Sequence, residues 1–123
     1  MKEPSILIVE DEGLIALHLQ ELLGKCGYNV LDPVPCGEDA IEYVNAFPHP
    51  DLILMDISLD GKLDGIETAR EIQKRFDIPV IFLTAHIEAT RLARAESLAS
   101  HTFLGKPFIQ SELISAIEKA LGR

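Results

Sequence analysis

Residues 5–12 read SILIVEDE: an apolar run, Ser5 to Val9, that breaks without a turn residue into three consecutive acids, Glu10, Asp11 and Glu12. The run does not alternate apolar with polar. A strand with one wet face would alternate, whereas a strand buried on both faces of a parallel sheet has to be apolar throughout. Four more mostly unalternating runs follow, Val30 to Val34, Leu52 to Met55, Val80 to Leu83 and Thr102 to Leu104. They predict five short strands.

Parallel strands need crossovers, and the intervening segments have helical spacing. Leu14, Leu17 and Leu22 predict the apolar face of a first helix that stops at Gly27, and Ile66, Ala69 and Ile72 that of a third. Further helices are expected over Asp39 to Ala46, Glu88 to Leu98 and Ser111 to Leu121, the last with Ser111 as its N-cap. The result is βα repeated five times. Right-handed crossovers wound outward in both directions from the first strand give an α/β fold with strand order 2-1-3-4-5.

At 123 residues, 47% hydrophobic and 25% charged, the chain fits one globular domain, expected to span residues 1–123 with no output domain. The net charge of −9 and the lack of any Lys/Arg cluster argue against direct DNA binding. Acids follow the first apolar run too soon for a signal-peptide core or a membrane span, so the expected location is cytoplasmic, with no membrane partner. Cys26 and Cys36 match no zinc spacing and read as reduced, space-filling thiols. His18, His49 and His101 read as structural or solvated.

In an open α/β sheet, ligands bind beyond the carboxyl ends of the strands where strand order reverses, here between strands 1 and 3. Glu10 and Asp11 follow strand 1, Asp56 ends strand 3, Thr84 ends strand 4 and Lys106 follows strand 5. Three carboxylates at one sheet edge repel unless a proton or a cation intervenes. Hard oxygen ligands suit Mg2+, with Mn2+ able to substitute. Glu12 reads instead as an acid stabilising a helix N-terminus. Beside a cation, Asp56 is a competent nucleophile towards a phosphoryl group. Thr84 and Lys106 supply a hydroxyl and a point charge for its other oxygens. Pro107 is a candidate cis-proline that would aim Lys106 inward.

The motifs VEDE, LMDISL, DGIETA, FLTA and GKPF, in this order and spacing over nearly the whole chain, resemble the receiver domains of two-component response regulators. The resemblance implies a three-layer α/β/α, flavodoxin-like (βα)5 receiver fold. It implies that Asp56 is the phosphoacceptor and that Glu10, Asp11, Asp56 and the Ser58 backbone carbonyl hold Mg2+, with Thr84 and Lys106 on the phosphoryl group. It makes Thr84 and Phe103 the switch pair, and places Ser58 and His86 where phosphoryl lifetime is tuned. The donor would be a phosphohistidine of a sensor histidine kinase or a histidine phosphotransfer protein. Output would pass through the face formed by helix 4, strand 5 and helix 5. Glu10 stands where many members have Asp, and Phe103 lacks the hydroxyl of the frequent Tyr.

Such a domain would catalyse only its own phosphorylation and dephosphorylation, with protein contact as output. The expected state is a monomer able to dimerise on phosphorylation; Arg91 and Arg94 with Glu112 and Glu118 permit charge pairing across a symmetric interface, and solvated faces explain them equally well. Three alternatives remain. A haloacid-dehalogenase-like phosphatase would want a second carboxylate where Ser58 stands, and a flavodoxin-like cofactor binder would want a Gly, Ser and Thr loop where the acids stand. A receiver fold that only docks would need none of the site residues.

Overall fold

The computed structural model describes residues 3–59, 61–85 and 89–122. Ten elements alternate along the chain: β1 (Ser5–Val9), α1 (Gly13–Lys25), β2 (Asn29–Val30), α2 (Gly37–Ala46), β3 (Leu52–Asp56), α3 (Gly65–Gln73), β4 (Val80–Thr84), α4 (Ala89–Ala95), β5 (His101–Gly105) and α5 (Gln110–Ala120). All strand pairs are parallel, in the order β2-β1-β3-β4-β5. Both the expected topology and the three-layer architecture hold.

Successive side chains of a strand point to opposite faces, and this divides the core in two. Leu7, Val9, Ile53, Met55, Val80 and Phe82 pack with α2, α3 and the end of α4. Ile6, Ile8, Leu52, Leu54, Ile81 and Leu83 pack with α1 and α5. Because helices cover both faces, every residue of β3 and β4 is buried. That is the physical reason for the unalternating apolar runs.

Several boundaries differ from expectation. The second strand was expected from Val30 to Val34, yet the regular ladder holds only Asn29 and Val30. Pro33 has no N–H to donate, so the edge strand breaks there and rejoins β1 as a single bridge, with Val34 donating to Ile8 O at 2.9 Å. The fourth helix ends at Ala95 and not at Leu98. Glu96 and Leu98 bond back three residues, tightening the chain so that Leu98 reaches the core. Glu88, its expected start, lies outside the described residues. Helix α5 begins one residue before Ser111, its N-cap being Ile109, whose N–H donates to Glu112 Oε1 at 3.2 Å.

The largest correction concerns α1. Leu14 is 85% exposed and Leu17 50%, while Ala16, Leu19 and Leu23 are the buried residues. The helix is where it was expected, with Gly27 at φ 93° just past its end, but it turns a different stripe inward. Cys26 and Cys36 are free, and Cys26 is exposed at the end of α1, so it fills no core space.

Candidate functional site

The parallel register carries the polar residues that follow the strands to one edge of the sheet. Asp56 is the last residue of β3 and Thr84 the last of β4. Glu10 follows β1 and takes its place by donating its backbone N–H to Val34 O at 3.0 Å. Lys106 follows β5, and its N–H donates to Thr84 O at 2.7 Å. The Lys106–Pro107 peptide bond is cis.

Single carboxylate oxygens of Glu10, Asp11 and Asp56 all lie within 4.8 Å of one another. Glu10 and Asp56 are buried, at 4% and 8% exposure. At that spacing, two like charges repel by roughly 3 kcal/mol with an effective dielectric constant near 20. Lys106 Nζ relieves part of this, standing 3.3 Å from Glu10 Oε1 and 3.8 Å from Asp56 Oδ1. Only the first is of hydrogen-bond length. One ammonium does not balance three carboxylates. The imbalance shows on Glu10, whose carboxyl is pushed up to about 7, mainly by burial and further by the nearby Asp56 charge, against the lowering pull of the Glu12 N–H and Lys106.

This donor set fits a divalent cation: hard carboxylate oxygens, converging, with negative charge in excess. Ser58 is exposed, and its N–H donates to Asp56 Oδ1 at 3.1 Å. Phe103 is half-buried, its ring centroid 5.1 Å from that of Phe82 and 5.9 Å, edge-on, from that of His101. His86 lies outside the described residues, and no placement is given to it.

Other residues complete the surroundings. The Thr84 hydroxyl accepts a hydrogen bond from Arg91 Nη1 of α4 at 2.7 Å. Asp64 caps α3 and also pairs with Arg94 of α4 at 2.8 Å. Arg91 and Arg94, which the sequence left open as interface or solvated residues, bond within the chain. Glu38 Oε1 accepts the Leu63 N–H at 3.0 Å and so holds the connection after β3. The cap was detectable, since DGIE reads as an acid followed three residues later by Glu ahead of an apolar run. The Arg91 bond was not, because it depends on how α4 lies relative to the end of β4.

The parallel α/β sheet gathers an acidic cluster and a lysine at one edge, and the family match places this site in a signalling domain of the two-component class. Residues 6–118 match the model of the response regulator receiver domain, and the chain belongs to that family. It is 37% identical over 118 residues to the transcriptional regulatory protein PdtaR of Mycobacterium tuberculosis, an alignment covering 96% of this chain and 57% of PdtaR. The chain thus spans little more than half the length of that relative. The N-terminal domain of a three-domain response regulator/sensory box/GGDEF protein from Carboxydothermus hydrogenoformans superposes with a TM-score of 0.88 at 40% identity, covering 96% of this chain and 94% of that one. The receiver domain of a Pseudomonas aeruginosa sensor histidine kinase superposes with a TM-score of 0.85 at 29% identity, covering 98% and 99%, and holds a magnesium ion in its active-site cleft. Among the described residues of the present chain, no helix is long and apolar enough to cross a membrane.

Proposed function

We propose that Asp56 accepts a phosphoryl group from the phosphohistidine of a sensor histidine kinase or histidine phosphotransfer protein. The supporting observation is the position of its carboxylate, buried at the end of β3 among Glu10, Asp11 and Lys106. An Asp56 oxygen attacks phosphorus as the phosphorus–nitrogen bond to the imidazole breaks, and the released ring nitrogen takes a proton from solvent. Asp56 Oδ1 takes the Ser58 N–H and the Lys106 charge, which orients the carboxylate.

Glu10, Asp11, Asp56 and the Ser58 carbonyl would hold Mg2+, or Mn2+ in its place. Bound there, the ion supplies neutralisation of charge on carboxylate and phosphoryl oxygens. Lys106 and the Thr84 hydroxyl hold the oxygens of the transferred group. Thr84 then moves towards the phosphoryl group and Phe103 rotates into the space it leaves. New charge at Asp56 supplies the differential interaction that such a population shift requires. Ser58 and His86 set the lifetime of the phosphoryl group.

Catalysis in this reading is limited to the domain's own phosphorylation and dephosphorylation. Output passes through protein contacts of α4, β5 and α5, without direct DNA binding, and dimerisation follows phosphorylation once Arg91 or Arg94 leaves its internal partner. The test is incubation with phosphoramidate and Mg2+ followed by intact-mass measurement. Wild type gains one phosphoryl group and Asp56→Asn gains none; an unchanged wild-type mass rules the reading out.

A further inference from the structure

From the hydrogen bond between α4 and the end of β4, we infer that Arg91 is a positioning residue that restrains the Thr84 hydroxyl until a phosphoryl oxygen competes for it. Arg91 Nη1 donates to Thr84 Oγ1 at 2.7 Å, a charge-assisted bond at a side chain only 2% exposed. The Thr84 main chain is held separately, its carbonyl accepting the Lys106 N–H. What remains to be set is the direction of the hydroxyl. Arg91 draws it towards α4.

Among the described residues of α4, Arg91 and Arg94 make polar bonds to the rest of the domain. The buried described residue of the helix is Ala95, while Leu92 is 43% exposed. Arg94 pairs with Asp64, the Arg94 carbonyl accepts from Arg70 Nη2 at 2.7 Å, and Arg91 holds Thr84. The chain beyond the helix is fixed by Gln73, which accepts the Ala99 N–H and donates to Ser100 O. The C-terminal end of α4 is thus tied to α3, and Arg91 ties its N-terminal half to the residue that meets the phosphoryl group. Drawing Thr84 towards Asp56 breaks the Arg91 bond. Phosphorylation is thereby opposed by the Arg91 hydrogen bond in the resting chain.

This inference rests on the phosphoacceptor reading of Asp56, and its test separates the two. Initial rates of phosphorylation by phosphoramidate with Mg2+ are followed by intact mass in wild type, Arg91→Ala, Thr84→Ala and the double variant. Arg91→Ala should react at least about tenfold faster than wild type, the gain expected from removing one opposing hydrogen bond from a charged donor. In the Thr84→Ala background the same change should have no effect, because the restrained hydroxyl is gone. Arg91→Lys, which keeps a cationic donor, should return the rate to near the wild-type value. A wild type that does not react removes the phosphoacceptor reading. A wild type that reacts, with Arg91→Ala equal to it or slower, or faster by the same factor in both backgrounds, overturns the role of Arg91 alone. Should Arg91→Ala not fold, Arg91→Gln takes its place with the same expected direction.

Discussion

Gly65, the first residue of α3, lies directly against the backbone carbonyl of Asp56. A Cβ at this position would collide with that oxygen and come within 2.9 Å of Ile57 Cα and Met55 Cγ. The Gly65 N–H donates to Ile57 O at 2.9 Å, so the helix start and the segment carrying Asp56 are fixed on one another. Alanine is the better helix former by about 1 kcal/mol, which alone would make Gly65→Ala stabilising. Here the obstacle is backbone, which cannot swing aside, and overpacking of this kind costs about 1–3 kcal/mol. The clash wins. Gly65→Ala should lower the urea midpoint followed by circular dichroism and slow phosphorylation at Asp56; a variant as stable as wild type contradicts the close approach.

Asp64 carries two roles of unequal weight. Its Oδ1 accepts the Glu67 N–H at 2.9 Å, while Glu67 Oε1 accepts the Asp64 N–H at 2.9 Å, a reciprocal cap on α3. Its Oδ2 pairs with Arg94, whose side chain is 41% exposed. Loss of a cap costs about 1 kcal/mol, whereas a half-exposed ion pair contributes about 0.5 kcal/mol or less. Asp64→Ala should therefore destabilise clearly more than Arg94→Ala in urea unfolding. Asp64→Asn, which keeps the cap and removes the charge, should resemble Arg94→Ala. If Asp64→Asn proves as damaging as Asp64→Ala, the ion pair matters more than its exposure allows.

Strand order and the residues at the sheet edge were legible because burial on both faces leaves a strand little choice of residue. A polar residue ending such a run, as Asp56 ends β3, stands out for the same reason. The inward face of α1 was not legible. Leu14, Leu17 and Leu22 form one stripe and Ala16, Leu19 and Leu23 another, and periodicity cannot rank two overlapping apolar faces when only the sheet beneath decides. Pro33 was visible in the sequence, and its missing N–H accounts for the short β2. The bond from Arg91 to Thr84 was not legible either, since residue types and spacing do not determine how a helix lies against a strand end.

Glu10 gives the site a measurable pH dependence. Its carboxyl is raised from an ordinary 4.5 to about 7, first by burial. Between those values the folded chain holds a proton that the unfolded chain has released, so this group's contribution to stability falls as pH rises and levels off above about 7. The expected slope is thus opposite to that of a salt-bridged carboxylate. Divalent cations select the ionised carboxylate, so Mg2+ should stabilise the fold more at about pH 8 than at about pH 6, and its binding at the lower pH should release a proton. Urea unfolding by circular dichroism, with EDTA or with Mg2+, isolates the effect as the difference between wild type and Glu10→Gln. That difference should shrink to nothing if Glu10 titrates normally, and a wild type gaining stability relative to Glu10→Gln as pH rises in EDTA would reverse the sign assigned to its burial.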